Sequence, residues 1–334
     1  MYKLSPFITL VILFIFGMTS CISGAKKKHA NDTKNVSIPV FDADSAYHYV
    51  EAQTLFGPRV PNTEAHEACR NYIVSNLQKT GAKIIEQSAD LKAFDGTILK
   101  STNIIASFHP KKKNRILLCA HWDSRPWADN DPNEKNWHSP ILGANDGASG
   151  VGVLMEIARQ LGMETSKKNQ PNVGIDIIFF DSEDYGEPKF FKGIENEDSW
   201  CLGTQYWAKN PHTPGYKAKY GILLDMVGGE APHFACEYFS YKYAPQVVQT
   251  VWEKASSLGY SNYFLEVKGG AITDDHLYVN RIANIPCIDI IDCAPNSKTG
   301  FVPSWHTLDD TMKNIDKTTL KVVGETLLNT IYSE

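Results

Sequence analysis

The sequence predicts a three-layer α/β/α sandwich around a central mixed, largely parallel sheet, and two observations carry that expectation. Residues 115–120 and 173–180 are almost wholly apolar, as strands covered on both faces should be. Between them, residues 147–161 make a long run of small and apolar residues at helical length, so strand and helix alternate along the chain.

The elements follow in order. Residues 44–56 and 64–79 place apolar side chains at helical spacing, the second with Asn62-Thr63 as its cap and Gly81 as its stop. Residues 83–91 and 101–108 alternate as strands, then come the apolar strand 115–120, the helix 147–161 and the apolar strand 173–180. A strand at 220–227, a helix at 244–258, a strand at 284–291 and a helix at 316–332 complete the series. The lysines at 111–113 read as a solvated turn between strands. No internal repeat is visible, and no long linker divides the chain after residue 40.

Composition narrows the function. With 334 residues, ordinary apolar and charged fractions and a net charge of −5, the chain can bury one large core or two modest ones, one domain being the economical reading, and offers nothing to nucleic acid. Residues 1–20 have the charged start and apolar middle of a secretory signal, too short for a convincing membrane span. Gly17-Met18-Thr19-Ser20-Cys21 then resembles a bacterial lipobox, with Met18 where Leu is usual. The expected organisation is a leader over 1–20, a lipidated Cys21 with a polar tether over 21–40, and a single catalytic domain over 41–334. Such a protein is exported, periplasmic, and tied to the membrane through its lipid anchor alone. The six other cysteines form no Cys-x-x-Cys pair, so a cysteine zinc site is not expected, and Cys119 and Cys287 should be buried in strands.

Seven acidic and imidazole residues stand at or near predicted strand ends: His121, Asp123, Asp146, Glu183, Asp184, Asp225 and His306. In open α/β sheets ligands bind beyond the carboxyl ends of strands, so these groups can converge without being sequence neighbours. Asp146, in Gly-Ala-Asn-Asp-Gly-Ala-Ser-Gly, is either a ligand or a helix cap, a role worth roughly 0.3–1 kcal/mol. Glu183-Asp184 is either a solvated acidic turn or a division of labour, one carboxylate holding a metal and its neighbour moving protons. His306 follows Trp305 in a loop. Two carboxylates and one imidazole make the three-ligand zinc site with an open position that catalysis requires, and Asp146, Asp184 and His306 are the chosen set. No nucleophile elbow, phosphate loop or His-Glu-x-x-His helix is present, and the glycines after Asp146 carry an acid where a dinucleotide phosphate would sit.

The ordered set His-Trp-Asp-Ser at 121–124, Asp146 in its glycine-flanked turn, Asp-Ser-Glu-Asp at 181–184, Leu224-Asp225, Thr-Asp-Asp-His at 273–276 and Trp-His-Thr at 305–307 resembles the zinc-dependent glutaminyl-peptide cyclotransferases, similar in fold to exported zinc aminopeptidases. The match runs from about residue 42 to the C-terminus, and one departure is Asp184 where animal members commonly carry Glu. The resemblance implies one zinc per chain and conversion of N-terminal glutamine, on peptides and exported proteins, to pyroglutamate with loss of ammonia. It casts Glu183 as the proton carrier and Asp274, hydrogen-bonded with Asp225 and Glu183, as its helper. Trp305 and Phe301 become the walls of the glutamine pocket, and His121 supports the ligands. Zinc aminopeptidase is the alternative, and a binding domain that had lost its metal is disfavoured by the intact ligand set. The segment 185–200 is expected to loop over the site.

Overall fold

The computed structural model describes residues 37–163, 169–194, 196–294 and 297–334. The predicted leader, Cys21 and the tether as far as residue 36 lie outside the described residues. Among those described, no helix is long and apolar enough to cross a membrane.

Local chemistry starts the first two helices. Helix α1 (Ala43–Thr54) is capped by Asp42, whose carboxylate accepts from the backbone of Asp44 and Ser45, and α2 (Glu64–Gln78) by Thr63, which accepts from His66 N–H. Gly81, at φ 75°, turns the chain after α2. It then enters the antiparallel pair β1 (Lys83–Lys92) and β2 (Ile98–Phe108), followed by β3 (Arg115–His121), α3 (Ala148–Met163) and β4 (Gly174–Phe180). The remaining elements are α4 (Leu202–Lys209), β5 (Tyr220–Asp225), β6 (Phe234–Cys236), α5 (Tyr238–Tyr243), α6 (Pro245–Ser257), β7 (Phe264–Lys268), α7 (Asp275–Arg281), β8 (Cys287–Ile291) and α8 (Lys317–Tyr332).

The main sheet has the order β1-β2-β4-β3-β5-β8; β1, β2 and β4 pair antiparallel, whereas β4, β3, β5 and β8 pair parallel. This is the mixed, largely parallel sheet expected. Alternation along each strand sends side chains to opposite faces. Ile116, Leu118, Ile177, Ile222 and Ile288 join the larger core with α1, α2, α3, α6 and α8, while Leu117, Cys119, Ile178, Leu223 and Cys287 join a smaller one with α4 and α7. Cys119 and Cys287 are thus buried as anticipated, and the six described cysteines are all free.

Two predicted strands are shorter than expected. The one placed at 220–227 ends at Asp225, because Met226 turns into the left-handed region at φ 47°. The one placed at 284–291 begins only at Cys287, since Asn284 is left-handed and Pro286 has no N–H to give a ladder. Helix α3 is buried almost all round, and two glycines let it be so. A Cβ on Gly150 would stand 2.4 Å from the Leu224 carbonyl oxygen, and one on Gly152 2.5 Å from Val50 Cγ2, so α3 lies hard against β5 on one side and α1 on the other. That contact sets the depth of Asp225, the next residue after Leu224.

Candidate metal centre and active site

The parallel strands end on one edge of the sheet, and the acidic and imidazole groups gather there. His121 closes β3, Asp225 closes β5, and 181–184 follow β4 directly. Asp146 arrives on the turn before α3, which is held from both sides. The fully buried Arg59 donates to the carbonyl oxygens of Trp122 (3.0 Å) and Gly143 (2.7 Å), and Asp310 accepts from the backbone of Asn145 (2.8 Å) and Asp146 (3.1 Å). Burial, with the charge of Asp146 beside it, pushes the Asp310 carboxyl up to about 7. The backbone N–H groups of Glu183 and Asp184 both donate to Asp123, each at 3.1 Å, so one buried carboxylate fixes the direction of the acidic pair.

Asp146, Asp184 and His306 offer ligand atoms that lie within 4.8 Å of one another, all buried. His306 Nε2 is 3.2 Å from Asp184 Oδ1 and 3.5 Å from Asp146 Oδ2. Asp184 is held above its ordinary range by burial and then by Asp146 facing it, and its Oδ2 is buried without a hydrogen-bond partner. Two buried carboxylates turned toward each other with an idle oxygen between them suit a divalent cation. Two acids and one histidine with room for a fourth group suit zinc in particular.

Arg125 and Asp129 stand behind this group and went unnoticed in the sequence. Arg125 pairs with Asp129 at 2.7 and 2.8 Å and donates to the Asp184 backbone carbonyl at 3.0 Å. Asp129 in turn lies 3.6 Å from His306 Nδ1, fixing the ring so that Nε2 faces the acids. The ring itself lies between Trp305, at 3.8 Å, and Trp200, at 6.1 Å between centroids.

His121 bridges a second pair. Its Nε2 is 3.1 Å from Asp146 Oδ1 and 3.2 Å from Asp225 Oδ1. Burial opposes charge on the ring, but the close carboxylates of Asp123, Asp146 and Asp225 outweigh it and hold the pKa well above the usual histidine value. Burial raises the Asp225 carboxyl to about 7, with Asp146 adding to the effect.

Glu183 points into the same cavity and is pushed well above the ordinary glutamate value, first by burial and then by Asp184, Asp274 and Asp275. Cys201 donates its thiol to Glu183 Oε1 at 3.3 Å, and Cys201 N–H donates to the Glu183 carbonyl at 2.9 Å. The expected hydrogen bonds from Asp274 to Asp225 and Glu183 take another form. Asp274 caps α7 through the Asp275 N–H and meets the carboxyl of Asp289, so it acts on Glu183 and Asp225 through charge. Burial is the chief cause that raises both Asp274 and Asp289, and for Asp289 the charge of Asp274 comes next.

Asp146, Glu183, Asp184, Asp225, Asp274 and His306 open on one cavity of about 560 Å³, into which Trp305, Phe301, Trp200, Met226, Ile272 and Ile291 also turn. The segment 185–200 supplies Trp200 to it, and Arg125 lies 4.6 Å above that indole. Around the cavity the backbone is strained: Ser182, Cys201, Met226 and His306 are all left-handed, at φ 55°, 55°, 47° and 55°.

Comparison with known proteins adds the following. The model for peptidase family M28 matches residues 103–331. A Bacteroides thetaiotaomicron glutaminyl cyclase, solved with bound N-acetylhistamine, is 56% identical, covers 89% of this chain and all of its own, and superposes with a TM-score of 0.86. A Zn-dependent exopeptidase from Parabacteroides distasonis is 55% identical over the same shares, also with a TM-score of 0.86. The glutaminyl-peptide cyclotransferase of Bos taurus is 26% identical over 83% of this chain and 78% of its own.

Proposed function

The chain belongs to peptidase family M28, and from that premise we propose that it is a glutaminyl-peptide cyclotransferase, turning the N-terminal glutamine of peptides and exported proteins into pyroglutamate and ammonia. The observation that carries the reading is Glu183, a buried carboxyl of raised proton affinity that faces an apolar-walled cavity one residue away from Asp184.

We assign Asp146, Asp184 and His306 to one zinc per chain, with His121 supporting Asp146 from behind. A zinc bound there supplies Lewis-acid polarisation of the glutamine side-chain carbonyl. As the α-amine nitrogen bonds to that carbonyl carbon, Glu183 takes the proton the amine loses. It returns the proton to the amide nitrogen as the old C–N bond breaks and ammonia departs, so no water is consumed. Asp274 orients the amide nitrogen, and its charge raises the proton affinity of both Glu183 and Asp225. Trp305 and Phe301 wall the side chain off from solvent.

A second reading, zinc aminopeptidase, is favoured by one observation: His121, Asp146 and Asp225 form another buried group able to hold a metal. Mass spectrometry of a Gln-initiated and a Leu-initiated peptide, incubated with the full-length chain with and without a chelator, separates the two. Chelator-sensitive loss of one ammonia from the Gln peptide alone is the expected result. Release of a whole residue from either peptide establishes the peptidase and moves His121 into the metal shell.

We further propose export by residues 1–20 and a lipid anchor on Cys21, with residues 41–334 as a single catalytic domain. Cys21→Ser should move the protein from the membrane fraction to the soluble one; persistence at the membrane would sink the anchor.

A further inference from the structure

Helix α5 turns aromatic rings and a cation outward, and the chemistry above uses none of them. Its sequence is Tyr-Phe-Ser-Tyr-Lys-Tyr; Ser240 is buried, whereas Tyr238 and Tyr241 are 51% and 54% exposed and Lys242 stands beside them in solvent. Residues three and four apart are neighbours on a helix surface, so Tyr238, Tyr241 and Lys242 share one outward face. The Lys242 ammonium lies 5.9, 5.8 and 5.3 Å from the ring centroids of Tyr238, Phe239 and Tyr243, and the Arg281 guanidinium of α7 lies 5.4 Å from that of Phe239. Exposed carboxylates are kept away. Helix α5 carries none, its cap Glu237 is buried, and so are Asp275 of α7 and Asp289 of β8, which pack against it. Glu253, the exposed acid of α6, stands beyond the second turn of that helix. A chain of net charge −5 thus presents here two cations set among aromatic rings.

We infer that this face of α5 is a membrane-contact surface that rests on anionic lipid headgroups. Tyrosine, with an apolar body and a polar tip, suits the level of the headgroups, and lysine and arginine at that level meet lipid phosphates. The proposed anchor puts the domain beside a bilayer. Residues 22–36 join Cys21 to the described domain, and a chain of that length reaches at most about 55 Å when fully extended. Lys26, Lys27 and Lys28, close to Cys21, suit the same anionic surface, since one lipid holds stably only with a second signal such as a basic run. From the anchor the inference takes only that the domain works near lipid, and it stands apart from the cyclotransferase reading. Tyr238 N–H donates to the Gly270 carbonyl at 2.9 Å, and Gly270 is an exposed residue of the cavity lining. A domain seated on α5 therefore holds the mouth of its active site at the lipid surface.

The test is co-sedimentation of the full chain carrying Cys21→Ser, which removes the lipid attachment point, with vesicles of phosphatidylcholine alone and with added phosphatidylglycerol. Partition should be at least about tenfold higher on the anionic vesicles, each cation near such a surface contributing about fivefold. High salt should bring it down toward the neutral value. In the same background, Tyr241→Ser with Lys242→Gln should lower the anionic partition by about tenfold, and Arg281→Gln alone by about fivefold. Melting temperature and ammonia release from a Gln-initiated peptide should stay unchanged in both. Residues 1–36 are the same in every protein compared, so the differences report α5 and its neighbour Arg281. Equal partition on the two kinds of vesicle, or a partition unmoved in both variants, overturns the contact surface whatever the fate of the anchor. Loss of a dimer in the double variant, read by sedimentation of the protein without vesicles, gives the face to a second copy and overturns it too. In cells, a salt wash of the membrane fraction releases such a contact but not a lipid anchor, which keeps the two results apart.

Discussion

Glu183→Gln is expected to keep zinc at the wild-type level while lowering kcat by about a thousandfold, within the 10²–10⁴ range of a lost general base. The exchange is nearly isosteric. The backbone of residues 183 and 184 stays held by Asp123, and Cys201 finds an oxygen acceptor in the amide as it does in the carboxyl. What disappears is the ability to take a proton from the amine and return it to the leaving nitrogen. Zinc content by atomic emission and turnover by ammonia release decide the matter together. Full activity in this variant removes Glu183 from the proton path.

His306→Ala should instead lose metal and activity together. The imidazole is the one neutral donor in the set, and without it Asp146 and Asp184 face each other buried, their repulsion unrelieved. Zinc should fall from about one per chain to below roughly a tenth of that, because a three-ligand catalytic site has no spare donor. A chelator applied to wild type should reproduce the loss of turnover, and added zinc should restore it in wild type only. Near-stoichiometric zinc in His306→Ala would show that the ion sits elsewhere, and two zincs in wild type purified without added metal would contradict the single-ion assignment.

The central sheet was legible because four parallel strands buried on both faces must be apolar, and chemistry-bearing residues at their ends then stand out against that background. Asp184, just after β4, stands out in this way, whereas Asp146 in its glycine-flanked turn and His306 in a loop were chosen because two carboxylates and one imidazole make a three-ligand zinc set. The elements missed were short: α4, α5 and α7 span six to eight residues, and β6 and β7 three to five, too few to display a period. Arg125 and Asp129 escaped for a different reason. They sit in a loop rich in Asp, Asn and Pro that reads as solvated, yet both are buried, because an arginine with a bidentate partner can be enclosed where a lone charge cannot. Their spacing of four was the available signal. The contact of Asp274 with Asp289 was equally hidden, since nothing in an apolar strand marks one acid as the partner of another some fifteen residues away.

The four left-handed residues around the cavity bear on how this protein can change. At about 1–2 kcal/mol each, they represent roughly 4–8 kcal/mol of unfavourable backbone, comparable with the whole net stability of many domains. The buried sheet and α3 must therefore be more stable than folding alone would require. Selection for heat tolerance could relax these turns only by moving Glu183 or His306, so durability should be gained in the outer helices, and relatives adapted to different temperatures should diverge there first.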